Sequence, residues 1–186
     1  MMRLFLQCIG LFFWCTFLTG GVYPLLLLGI GNVTFYEKTH GSLVYRDDRI
    51  VGSYLIGQSF REKRYFWSRP SSVNYDPSSS GASNLGPTSA MLKTNIKARQ
   101  ETFGTNAPIE FLTASGSGLD PHISLQGAII QIPRIVRARN LDRQKEEMLR
   151  NLVQSKVEAP DFGFLGEERV NVFKLNLALD QLFLGN

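Results

Sequence analysis

The chain has 186 residues, with 20 Lys and Arg against 16 Asp and Glu and a net charge of +4. Residues 4–36 carry no charged side chain at all, which excludes a single soluble domain. All but one of the basic residues and all the acidic ones lie beyond that run and are interleaved in sign, which gives no basis for nucleic-acid recognition.

The apolar run exceeds the ~20 residues that a helix needs to cross a bilayer. A cleaved signal sequence is the alternative, but such segments have apolar cores of about 7–15 residues. Here "VYPLLLLGI" continues the hydrophobicity past the small residues at 19–21. The sequence therefore predicts an uncleaved anchor over residues 1–36 and one outer domain over 37–186. Arg3 on one side and Lys38, Arg46 and Arg49 on the other give no clear charge bias. The short tail before Arg3 favours a cytoplasmic N-terminus and a translocated C-terminal domain. Gln7, Gly10, Thr16, Thr19, Gly20 and Gly21 let the helix approach other membrane helices, so Gly10, Gly20 and Gly21 are interface candidates. Cys8 and Cys15 both lie within the span and cannot staple the outer domain.

Beyond the span, "GSLVY" and "IVGSYLIG" read as short strands around a charged "RDDR" turn. Residues 68–90, rich in Ser, Pro, Gly and Asn, predict a long loop that binds something, moves, or both. Thr88 or Ser89 is placed to cap a helix running to Phe103. "PIEFLTAS" (108–115) predicts a buried strand. Ser124 is an N-cap candidate for a helix carrying Leu125, Ala128, Ile129, Ile132 and Val136, which Pro133 should kink near Ile129. Asn140 is a candidate cap for the next helix, and "RVNVFKLNLALDQLF" (169–183) begins as a strand and ends as a helix. The fold class is α/β, with a single N-terminal transmembrane helix followed by one mixed α/β extracytoplasmic domain.

Ser115, Ser117, Asp120 and His122 have the residue types of a hydrolytic triad. Asp120 and His122 are only two apart on one loop, however, and "SGSGL" is not the G-x-S-x-G elbow. The structural alternative has Asp120 satisfying backbone N–H groups ahead of Pro121, His122 hydrogen-bonding across the turn, and Ser124 capping. No phosphate-loop motif occurs. Arg134, Arg137 and Arg139 could meet a phosphate or form a salt-bridged face. Two histidines without a compact carboxylate cluster give no zinc site. The best class from residues alone is a membrane-anchored accessory subunit, its competitor a tethered hydrolase.

Seven strings then fall into one pattern: "TGGVYPLLL" (19–27), "GSYLIGQSF" (52–60), "YFWSRPSS" (65–72), "GASNLGPTS" (81–89), "LTASGSGLDPHIS" (112–124), "QIPRIVRARNL" (131–141) and "FLGEERVNVFKLNLALD" (164–180). Together they closely resemble the KdpC family of bacterial high-affinity potassium-transporting ATPases. The resemblance implies an inner-membrane protein with one span and an outer domain. It also implies partnership with a channel-like potassium-translocating subunit, a P-type ATPase catalytic subunit and a small membrane subunit, in contact with membrane lipid. It further implies a reading as a catalytic chaperone that raises ATP affinity through a nucleotide-binding glutamine, for which Gln58 and Gln131 are the candidates. ATP is cytoplasmic and the domain is expected outside, so assembly and stabilisation is the preferred role, with Asp120, His122, Ser124 and Arg134 as interface candidates. Two departures from the family pattern stand out: Leu125 where proline is common, and Ser68 where glycine is usual, the latter requiring negative φ.

Overall fold

The computed structural model describes residues 1–184, which divide into two compact units, one Met1–Leu43 and the other from Val44 onward. The first is dominated by a continuous 33-residue helix, Met2–Thr34, with no buried residue. It comprises α1 (Met2–Phe17), a π-helical turn (Leu18–Val22) and α2 (Tyr23–Thr34). Pro24 in the first turn of α2 explains the π turn. A proline lacks the N–H and its ring crowds the preceding turn, and widening that turn relieves both problems without ending the helix. The polar side chains bond back to the helix: Thr19 Oγ1 donates to the Cys15 carbonyl at 2.7 Å, Asn32 Nδ2 to Leu28 at 2.9 Å and Thr34 Oγ1 to Ile30 at 2.6 Å. They are thereby satisfied without water, as a lipid environment demands. A one-turn helix, α3 (Tyr36–Thr39), follows.

The hairpin of β1 (Leu43–Arg46) and β2 (Arg49–Ser53) turns at Asp47 and Asp48, both in the left-handed region with φ of 50° and 58°. That is the geometry a two-residue hairpin turn requires. Then come α4 (Ala90–Phe103), α5 (Ile109–Leu112), β3 (His122–Ile123), α6 (Leu125–Ile129), α7 (Ile132–Arg139), α8 (Arg143–Ser155), β4 (Val157–Glu158), β5 (Arg169–Asn171) and α9 (Val172–Leu184). The three-stranded sheet has the order β3-β5-β4, all antiparallel, with Val170 opposite both Ile123 and Val157. Its core face packs with Phe66, Phe111, Ile132, Ile135, Leu149, Val153, Leu175 and Leu179.

Three expectations need correction. Residues 108–115 do not form a strand: Ile109–Leu112 make one helical turn that buries Phe111 and Leu112. A single turn at the end of a Pro-led segment carries too little periodicity to separate from a buried strand. The interruption expected near Ile129 is present, but as a break and not as a kink in one helix. The chain breaks between α6 and α7, and Pro133 lies in the first turn of α7, where a missing N–H forfeits no helical bond. Asn140 caps nothing at an N-terminus but ends α7 in the left-handed conformation, φ 51°, while Asp142 caps α8 by accepting from Lys145 N. Ser89 caps α4 as expected. Ser68 is buried and keeps negative φ, so its replacement of glycine carries no backbone strain.

Candidate functional site

The segment 115–124 lies where the long loop, the sheet and α6 meet. Gly81 N donates to the Ser117 carbonyl at 2.8 Å and Ser115 N to the Pro70 carbonyl at 3.0 Å, so the first half of the 68–90 loop is tied to this segment by its backbone. Gly118, with φ of 69°, brings its Cα against Val73 and the Gly81 carbonyl, where a side chain would not fit. Ser117 Oγ accepts from Leu119 N at 3.1 Å. Among the described residues, no hydrogen bond joins Ser115 or Ser117 to His122.

Asp120 holds the turn ahead of Pro121 by accepting from His122 N at 3.0 Å through Oδ1 and from Arg69 Nη1 at 2.9 Å through Oδ2. Partial burial pushes its carboxyl up, but His122 and Arg69 outweigh that and hold it below the ordinary value of 3.8. The His122 ring lies between two carboxylates, with Nδ1 3.7 Å from Asp120 Oδ1 and Nε2 3.7 Å from Glu158 Oε2. Glu158 in turn meets Lys174 Nζ at 2.7 Å and Arg169 Nε at 3.7 Å. A string of charged and polar side chains therefore ties the long loop to all three strands.

Ser124 caps α6 by accepting from Gly127 N at 2.9 Å, and its own hydroxyl donates to Glu110 Oε1 at 2.6 Å. Both Glu110 oxygens also accept from Ser124 N. A capping box ordinarily takes its carboxylate from the third helical residue. Here that residue is Gly127, and a Cβ on it would strike Glu110 and Phe111. The carboxylate comes instead from α5, fourteen residues upstream, where the assignment of 108–115 as a strand hid it.

Gln131 is 2 % exposed, and its amide lies against the backbone of Trp67, just ahead of the long loop. Its Oε1 accepts from Trp67 N at 2.8 Å, while Nε2 donates to the carbonyls of Trp67 at 3.2 Å and Gly127 at 3.1 Å. Asn176 of α9 does the same one residue earlier, with Phe66 N donating to Oδ1 at 2.8 Å and Nδ2 donating to the Phe66 carbonyl at 2.9 Å. Two side-chain amides thus stand in for a neighbouring strand.

Arg134 completes the clamp. Its Nη1 donates to the carbonyls of Lys63 at 2.6 Å and Tyr65 at 2.9 Å, Nη2 donates to Gln131 Oε1, and the guanidinium covers the Trp67 ring at 3.7 Å. Burial lowers its pKa to about 10, so it remains charged at neutral pH. No carboxylate pairs with it among the described residues. Arg139 donates to the Arg64 carbonyl and pairs with Asp180 at 2.7 Å, while Arg137 bonds only within its own helix. Gln58 Nε2 donates to the Val51 carbonyl at 3.3 Å, and Gly52 leaves the space its amide fills.

Two clefts flank the helix α9. One, of about 230 Å³, includes Phe60, Tyr65 and Asp180; the other, of about 470 Å³, includes Tyr45, Lys156 and Lys174. Neither is lined by Gln58 or Gln131. In the span, a Cβ on Gly10 or Gly20 would meet nothing within 4 Å, and one on Gly21 would touch only the Phe17 ring.

A family model described as "KdpC: K+-transporting ATPase, c chain" matches residues 5–181. A protein of Methylobacterium nodulans named as a potassium-transporting ATPase KdpC subunit is 46% identical, with 90% of this chain and 91% of that protein covered. Proteins of the same description from Methylococcus capsulatus and Sorangium cellulosum are 46% and 47% identical, covering 90% and 89% of this chain and 92% and 90% of their own lengths.

Proposed function

The chain belongs to the KdpC family of potassium-transporting ATPase subunits, and from that premise we propose that its extracytoplasmic domain, residues 37–186, is a scaffold that stabilises the translocating and ATP-hydrolysing subunits. The protein is a non-catalytic accessory subunit of the Kdp complex and a single-pass inner-membrane protein, with its N-terminus cytoplasmic and the rest extracytoplasmic. Its partners are a channel-like potassium-translocating subunit, the P-type ATPase catalytic subunit and a small membrane subunit. Gly10, Gly20 and Gly21 offer the span's close-approach surface to a membrane helix of one of them. The turn built by Asp120, His122 and Ser124, and the face braced by Arg134, shape the surface presented outside.

One observation carries the reading: four of the candidate polar residues are committed to the chain's own backbone. Gln131 and Arg134 hold residues 63–67, and Asp120 and Ser124 hold the turn and the helix start. The second reading, a chaperone that raises ATP affinity, draws on the resemblance and has Gln58 and Gln131 as its candidates.

The test changes Ser115, Ser117, Asp120 and His122 singly to alanine, then measures complex recovery and potassium-stimulated ATPase activity on the same preparations. Scaffolding predicts reduced recovery for Asp120→Ala with near-normal activity per recovered complex. A variant that assembles fully and has no activity would sink it. An ATP affinity that falls in Gln131→Ala complexes of normal stability would favour the chaperone reading.

A further inference from the structure

Residues 161–168, "DFGFLGEE", are all exposed, and three of the eight are large apolar side chains: Phe162 at 88 %, Phe164 at 76 % and Leu165 at 50 % exposure. They lie in the β4–β5 connection, and that connection is not slack. Asp161 and Leu165 exchange two backbone hydrogen bonds of 2.9 Å, Gly163 N donates to the Pro160 carbonyl at 3.0 Å, and Arg169 Nη2 donates to both Asp161 oxygens at 3.2 Å. Phe162 itself is held at φ 55°, a conformation a bulky residue adopts only when its surroundings impose it. The fold thus holds two phenylalanines and a leucine out in water on a rigid tip. Apolar surface of that kind marks an interaction site, and preorganised aromatic anchors are the side chains that dominate interfaces.

The charge around the tip narrows the occupant. From 157 to 168 there is no Lys or Arg, although the whole chain is basic. Glu167 and Glu168 are exposed and form no ion pair among the described residues. An acidic edge is repelled by anionic lipid headgroups, and a symmetric pairing of two copies would set the same acidic edge against itself. We infer that the 161–168 tip docks into an apolar socket rimmed by Lys or Arg on another polypeptide of the complex. This rests on the accessory-subunit reading and identifies the surface through which that role is exerted.

The experiment places a photo-crosslinking phenylalanine analogue at Phe162 of the full chain in membranes carrying the complex, and in parallel makes F162S/F164S and E167K/E168K. The expected adduct is with another polypeptide of the complex. Both double variants should unfold at the wild-type midpoint yet be retained at least about 10-fold less well on detergent purification, as for the loss of anchoring side chains. An adduct only with lipid, only with a second copy of this chain, or none in a recovered complex overturns the inference. So does unchanged retention of F162S/F164S. Each of those outcomes leaves the scaffold reading standing. Failure of the wild-type chain itself to co-purify with the complex would overturn both.

Discussion

Phe66 and Trp67 are consecutive loop residues whose backbone is read by side chains 110 and 64 positions away, respectively. An amide group can imitate the peptide of a neighbouring strand because it presents an N–H donor and a C=O acceptor side by side in the same plane. Leucine at Gln131 would keep the volume and remove that pairing, leaving Trp67 N–H without its acceptor. We expect a loss of about 2–3 kcal/mol in denaturant unfolding; a nucleotide-binding Gln131 would instead change ATP affinity at constant stability. Asp120 is the residue whose titration reports on the turn. Its carboxyl titrates below its ordinary 3.8 in the folded protein, so its contribution to stability is complete above that value. It is lost as the pH falls through the lower folded pKa. Unfolding midpoints measured across that acid window should fall more steeply for wild type than for Asp120→Asn; parallel curves would show that the carboxylate does not brace the turn.

Elements with their own signals were legible in the sequence. The hairpin announced itself by two apolar runs around "RDDR", α4 and α6 by Ser89 and Ser124 in capping position, and α9 by Leu175, Leu179 and Phe183 at helical spacing. Two features were not, for physical reasons. The carboxylate that completes the Ser124 cap comes from α5, and no local spacing announces a partner supplied through tertiary packing. The role of Gln131 was hidden because a lone glutamine in a helical pattern looks the same whether its amide meets water, a ligand or a distant backbone. Pro133 lies in the first turn of α7, where its missing N–H forfeits no helical bond. Pro133→Ala should therefore cost under about 1 kcal/mol, chiefly through the freedom it restores to the unfolded chain. A loss well beyond that in thermal unfolding would mean that the proline itself makes the corner.

Across the molecule, the buried core draws on residues from Phe66 to Leu179 and none from the span. A fragment comprising residues 37–186 should accordingly unfold cooperatively without detergent while failing to co-purify with the complex as well as the full chain. Non-cooperative unfolding would show that the domain needs its anchor to fold. The Asn176 clamp also fixes an order of events during biosynthesis. Phe66 has its amide partner 110 residues downstream, on α9. At ribosomal rates of roughly 5–20 residues per second, about 5–20 s separate the two residues' appearance. Through that interval Phe66 lacks the partner that α9 supplies, although Gln131, which holds Trp67, is made 64 residues after it. The paired clamp on Phe66 and Trp67 is therefore complete only once α9 has been made.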